Sequence, residues 1–297
     1  MTLPYPSRRT TLALLLAGPL AACAPVTPLN VLASSSTYVL TEGVAYGSLP
    51  RQQLDIYTPV LPAPAGGWPV AVFFYGGTWN DGNRKDYRFV GEALASRGIL
   101  TLIADYRLYP EVKYPTFLED SAAAVAWALR EAPRLGGNYR RVYPVGHSAG
   151  AYNAAMVALD DRWLKAAGTT PDALAGWVGL AGPYDFYPIE NPQAQPVFNH
   201  PNYPPRSQPG EFVSARSPRT FLGSARTDKL VNPQRNTVAL GEKLKAAGAP
   251  VQVRLYRHLG HVGVAATLAA PLRWLAPVLD DVANFIDTGR PARRTVS

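Results

Sequence analysis

The chain has 297 residues, 47% hydrophobic and 17% charged, enough apolar material for one sizeable core, which excludes a disordered chain. Basic residues outnumber acidic ones 29 to 21, a formal charge of +8, but Arg84-Lys85, Arg140-Arg141, Arg216, Arg219, Lys243 and Lys245 are scattered and form no stripe interleaved with aromatics. No nucleic-acid footprint is expected, and the charge implies at most a mild attraction to anionic lipid or polysaccharide.

The chain opens with Arg8-Arg9, has no acidic residue before Glu42, and runs apolar from Thr11 to Ala22. A basic region, a short apolar region and small residues describe a secretory signal, too short for the roughly 20 residues of a membrane-spanning helix. Leu20-Ala21-Ala22-Cys23 resembles the lipobox of bacterial lipoproteins. Residues 1–22 are therefore predicted to be a signal peptide and Cys23 the lipidated first residue of an exported chain held on the bacterial cell envelope. Ser7 to Leu12 resembles a loose twin-arginine export motif, with Thr11 where that pattern usually has Phe. Cys23 is also the single cysteine of the sequence, so the mature chain is expected to fold without an internal disulfide.

Residues 24–38 are rich in Pro, Ser and Thr without helical or alternating pattern, which predicts a tether over 23–38. Strands and helices then alternate. Strands are predicted over Val39–Tyr46, Gln53–Tyr57 and Pro69–Tyr75, a helix over Tyr87–Ser96, a strand over Ile99–Asp105, and an Ala-rich helix over Phe117–Glu131. The strand Arg141–Val145 meets Gly146-His147-Ser148-Ala149-Gly150, and a helix follows over Ala151–Leu159. Further on come strands over Gly176–Ala181 and Arg219–Ser224, a helix over Pro233–Ala247, a strand over Val251–Tyr256 and a closing helix over Leu272–Ile286. This alternation predicts an α/β fold with a mainly parallel sheet covered on both faces. Asn191 to Gly210, dense in Pro, Asn and Gln, shows no core pattern and reads as a surface excursion.

Gly-x-Ser-x-Gly alone is a weak signal. Here it follows a strand and opens a helix, where two glycines permit the tight turn that lifts a serine hydroxyl above the sheet. That marks Ser148 as a nucleophile. Gly76 and Gly77, after the third strand, can expose consecutive backbone N–H groups and, with the Ala149 N–H, are the expected oxyanion donors. The general base should come late in the chain, and His261 in Leu259-Gly260-His261 is best placed, with His258 as competitor. His200 reads as a solvated or substrate-side residue, and His147 as packing away from the nucleophile. Asp228, after the strand 219–224, is favoured as the acid that orients His261, with Asp185 the alternative. Asp105 and Asp120 read as structural carboxylates, pairing with Arg107.

These residues resemble the α/β-hydrolase carboxylesterases that include hormone-sensitive-lipase-like esterases, bifunctional feruloyl and acetylxylan esterases, and kynurenine formamidase. The resemblance rests on Leu54-Asp55-Ile56-Tyr57, Gly76-Gly77-Thr78-Trp79, Asp105-Tyr106-Arg107-Leu108, Asp120 with Trp127, Gly146 to Ala151, Tyr184-Asp185, Thr227-Asp228 with Leu230-Val231, and Gly260-His261. It implies the α/β-hydrolase fold over 39–290, a small cap inserted at about 186–215, a tail over 291–297, and hydrolysis of small to medium acyl esters. Neither cofactor nor metal is called for. Tyr75 departs from the His usual before the Gly-Gly pair. A kynurenine-formamidase-like amide hydrolase and a catalytically silent binding module are the alternative readings.

Overall fold

The computed structural model describes residues 27–286. Its eight strands are β1 (Tyr38–Ala45), β2 (Gln53–Pro59), β3 (Trp68–Phe74), β4 (Leu100–Ala104), β5 (Gly137–His147), β6 (Trp177–Leu180), β7 (Thr220–Ala225) and β8 (Val251–Tyr256). They form one sheet in the order β1-β2-β4-β3-β5-β6-β7-β8. The pairs β1–β2 and β2–β4 are antiparallel and every other pair is parallel. β4 is buried at all five positions and β3 at six of seven, as near-continuous apolar runs must be when helices cover both faces. At the sheet edge, β8 alternates partly buried Val251, Val253 and Leu255 with exposed Gln252 and Arg254, the period of a strand covered on one side.

Helices α1 (Arg88–Ala95), α2 (Thr116–Glu131), α3 (Ala149–Leu159), α4 (Asp161–Ala166) and α5 (Ala239–Ala246) lie in the connections between strands, and α6 (His261–Ala266) and α7 (Val278–Ile286) follow β8. All eleven residues of α3 are buried. Its six alanines and glycines explain how it lies so close against β5 and β6. The helix expected over Pro233–Ala247 begins as a π turn, Gln234–Val238, before α5. The closing helix expected over Leu272–Ile286 is split into a 3₁₀ turn, Ala270–Leu275, and α7. Ala276 between them is extended, with φ −163 and ψ 148, because the ring of Pro277 disfavours a helical residue before it.

Order also starts earlier than the expected tether allows. Thr27–Leu32 forms a 3₁₀ turn, and the Asn30 side chain donates to the Lys85 carbonyl at 2.7 Å and accepts from the Phe89 N–H at 3.1 Å. The expected signal over 1–22, Cys23 and the tail over 291–297 lie outside the described residues. The excursion between β6 and β7 contributes to the core, contrary to expectation: Ile189, Ala194, Val197 and Phe198 are buried. Its apolar residues follow the contours of a loop, so they show neither a helical nor a strand period. No described helix is long and apolar enough to cross a membrane.

Candidate active site

β5 ends at His147, and α3 starts at Ala149, so Ser148 carries the whole change of direction. Its backbone sits at φ 55, ψ −123, a conformation that costs a non-glycine residue on the order of 1–3 kcal/mol. Packing holds it there. A Cβ on Gly146 would stand 2.1 Å from the Gly150 carbonyl oxygen, and one on Gly150 2.0 Å from that of Phe74, so both positions require glycine. The Ser148 N–H donates to the Leu180 carbonyl on β6 at 2.9 Å, and its own carbonyl accepts from the N–H groups of Ala151 and Tyr152.

Asp228 leaves β7 and His261 opens α6 after β8, and because β5 to β8 run parallel both residues leave the sheet at the end where Ser148 lies. His261 Nε2 lies 2.8 Å from Ser148 Oγ, and its Nδ1 lies 2.7 Å from Asp228 Oδ2. Asp228 Oδ1 accepts from the N–H groups of Leu230 at 2.9 Å and Val231 at 3.0 Å. Burial pushes this carboxyl up. The hydrogen bond and charge of His261, with those two N–H groups, outweigh it and hold the carboxyl below its ordinary value. An ionised Asp228 can only accept, so Nδ1 carries the proton and Nε2 is free to accept from the Ser148 hydroxyl.

The other candidates lie apart from this chain of hydrogen bonds. Asp185 is exposed and pairs with Arg235 at 3.0 Å. His258 is exposed at φ 61, and His200 is exposed with its ring 5.6 Å from that of Tyr203. Asp120 takes Arg107 through two side-chain bonds of 2.8 Å. Asp105 instead takes Arg84, whose Nη1 lies 2.6 Å from Oδ2, which corrects the expected pairing with Arg107.

Gly76 approaches Ser148 closely, since a Cβ there would lie 2.9 Å from Ser148 Cβ; Gly77, at φ +128, turns the loop back on itself, where a Cβ would lie 2.2 Å from the Asp81 carbonyl oxygen. The Ala149 N–H stands in the first turn of α3, where no carbonyl of the helix can take it. Tyr75 lies buried beneath the Gly76–Gly82 loop. Its hydroxyl donates to Asp105 Oδ1 at 2.8 Å and accepts from Arg51 Nη2 at 3.0 Å, and Arg51 also donates to the Gly82 carbonyl. Its ring stacks on Tyr106 at 4.8 Å. The residue that departs from the resembled pattern thus props the loop from below. Burial, with the Asp105 charge, pushes its hydroxyl well above the ordinary tyrosine value and keeps it a neutral donor.

A cavity of about 860 Å³ opens over Ser148, with Trp79, Phe186 and Ile189 on its apolar wall and Asp81, Lys229 and Arg235 on its polar side. Trp79 is held by Asn153, which accepts its Nε1–H at 2.9 Å, and by an aromatic cluster in which Phe198 lies 4.9 Å away and Tyr152 5.2 Å. Its Gly-Gly-Thr-Trp context marked the loop, but not that packing. Among the described residues no group of three His, Cys, Asp or Glu side chains gathers as a metal would need. His147, expected only to pack, lies against His261: its ring is 5.1 Å from that of His261, and its Nε2 3.2 Å from the His261 carbonyl oxygen. Burial, aided by the charge of His261, pushes its imidazole down to about 3.

A mainly parallel eight-stranded sheet, with a strained serine at a strand-to-helix elbow and an insertion after the next strand, defines an α/β-hydrolase. Within that class the chain belongs to the BD-FAE family, which its residues 54–244 match. It is 34% identical over 148 residues to a probable isoprenylcysteine alpha-carbonyl methylesterase of Oryza sativa subsp. japonica, covering 48% of this chain and 34% of that protein. It is 32% identical over 168 residues to esterase LipC of Mycobacterium tuberculosis, covering 52% of this chain and 40% of that protein. The matched stretch is thus well under half the length of either relative. In fold, it is similar to a truncated carbohydrate esterase from gut microbiota, with a TM-score of 0.69, 18% identity, and coverage of 85% of this chain and 97% of that one.

Proposed function

We propose that the chain is a serine carboxylesterase for small to medium acyl esters. The observation that carries this reading is the unbroken chain of hydrogen bonds from Ser148 Oγ through His261 to Asp228, at 2.8 and 2.7 Å. His261 takes the Ser148 proton as Oγ bonds to the substrate carbonyl carbon. The N–H groups of Gly76, Gly77 and Ala149 receive the oxyanion, and Asp228 stabilises the imidazolium. The carbon–oxygen bond then breaks, the alcohol leaves with the proton from His261, and water repeats the sequence on the acyl-enzyme to release the acid. The relatives named as esterases and the open cavity over Ser148 support ester substrates. No observation favours the formamidase or the silent reading.

Hydrolysis of p-nitrophenyl acetate tests this. Ser148→Ala is expected to abolish turnover above background, and Asp228→Asn, which keeps the shape but reverses the tautomer, to lower kcat by about 10⁴-fold. A Ser148→Ala protein as fast as wild type would sink the esterase reading. We also propose that the enzyme is exported and tethered by lipid at Cys23, from the signal pattern over residues 1–22. Cys23→Ser is then expected to move the protein from the membrane to the soluble fraction; retention in the membrane would remove the anchor.

A further inference from the structure

The proposed reaction leaves the His147 imidazole without a task, although it touches two parts of the site. The backbone that carries it is held by close packing, since a Cβ on Gly146 or Gly150, on either side of the elbow, would stand 2.1 or 2.0 Å from a backbone oxygen. From there the ring reaches in two directions. Its Nε2 lies 3.2 Å from the carbonyl oxygen of His261, and its Nδ1 lies 3.3 Å from where a Cβ of Gly76 would stand. A carbonyl only accepts, so Nε2 carries the proton and Nδ1 does not.

We propose that His147 is a positioning residue: donating Nε2–H to the His261 carbonyl and filling the space up to Gly76, it sets the general base and the oxyanion loop at a fixed spacing about Ser148. The inference rests on the esterase reading above. Its reach matters because acyl transfer needs the Ser148 oxygen aligned with His261 on one side and with the loop N–H groups on the other, and a misplacement of about 1 Å costs on the order of 10²-fold. The residue type matters too. The titratable groups acting on His147 are His261 and, beyond it, Asp228. A neutral ring leaves Asp228 as the charge that governs His261, whereas a cation 5.1 Å away would oppose the imidazolium that forms during transfer.

The test starts from wild type and Ser148→Ala on p-nitrophenyl acetate. Equal rates there would overturn the esterase reading and this proposal with it. On a Ser148-dependent enzyme, His147→Ala is expected to lower kcat by about 10²-fold with KM nearly unchanged. His147→Gln, whose amide N–H can meet the same carbonyl, is expected to restore most of that loss. His147→Glu places an anion beside His261 and is expected to move the acid limb of kcat/KM upward by about one to three pH units. Where His147→Ala fails to fold, the Gln and Glu variants decide, together with the downfield proton resonance of the His261–Asp228 hydrogen bond in each. A folded His147→Ala enzyme with kcat within twofold of wild type would overturn the positioning role alone. So would a Glu variant with an unmoved acid limb.

Discussion

Two buried groups beside His261 make folding depend on pH with the same sign in different windows. His147 gains its proton near pH 3 in the folded chain and near 6.5 in an unfolded one. As pH falls between those values the unfolded chain binds a proton that the folded chain refuses, so stability drops by about 1.4 kcal/mol per pH unit. Asp228 is held low in the folded chain. Its contribution is complete above the unfolded value of about 3.9 and disappears as pH falls through the folded one. Urea titrations at pH 7 and pH 5 isolate the first effect. Wild type is expected to lose about 2 kcal/mol more than His147→Gln over that interval, and equal losses would show that His147 is protonated in the fold. Position after a strand favoured Asp228 but left Asp185 as an alternative. Their different settings, one buried under three donors and one exposed on Arg235, belong to the loops after β7 and β6 and have no local signature.

At the scale of elements, the elbow was readable because its constraint is local. Five consecutive residues must turn from strand to helix, and the backbone contacts at Gly146 and Gly150 explain the spacing of the motif. Gly150→Ala is expected to cost about 3 kcal/mol or more, a fall of roughly 6 °C or more in Tm at about 2–4 °C per kcal/mol. Gly260→Ala is the control. A Cβ there meets nothing within 4 Å at φ −105, so its melting temperature should stay within about 2 °C of wild type. If both variants melt alike, the close approach at Gly150 is not what fixes the turn. Gly260 thus marked His261 for a reason that the steric environment does not require. Helix lengths were less legible. A period of 3.6 runs equally through the π turn at Gln234–Val238 and α5, whereas the break at Pro277 was written in the chain by that residue's ring.

Across the whole molecule, the insertion after β6 is tied to the loop after β3 and to α3 by one aromatic cluster. Phe198 is fully buried, with ring centroids at 4.9 Å from Trp79, 5.2 Å from Phe186 and 5.6 Å from Tyr152. Phe198→Ala is expected to cost about 3–5 kcal/mol, to raise KM through the loosened Trp79 and Phe186 wall, and to expose the chain to proteolysis within residues 186–215. Unchanged KM and protease resistance would mean that the insertion is held in some other way. The Tyr75–Asp105–Arg51 network has the same origin. Its members come from the ends of β3 and β4 and from the β1–β2 turn, and they meet under the Gly76–Gly82 loop because β4 lies between β2 and β3.

By itself the sequence determined the alternation of strands and helices, the elbow at Ser148 and the order in which Gly76-Gly77, Ser148, Asp228 and His261 occur, because periodicity and turn chemistry act over a few neighbouring residues. Only the tertiary structure decided that Asp228 and not Asp185 faces His261, that Asp105 pairs with Arg84, that Tyr75 supports its loop from beneath, and that His147 reaches the His261 carbonyl. Those contacts join residues 21 to 114 positions apart. Strand order and the packing of loops at one edge of the sheet set such contacts, and no local pattern encodes them.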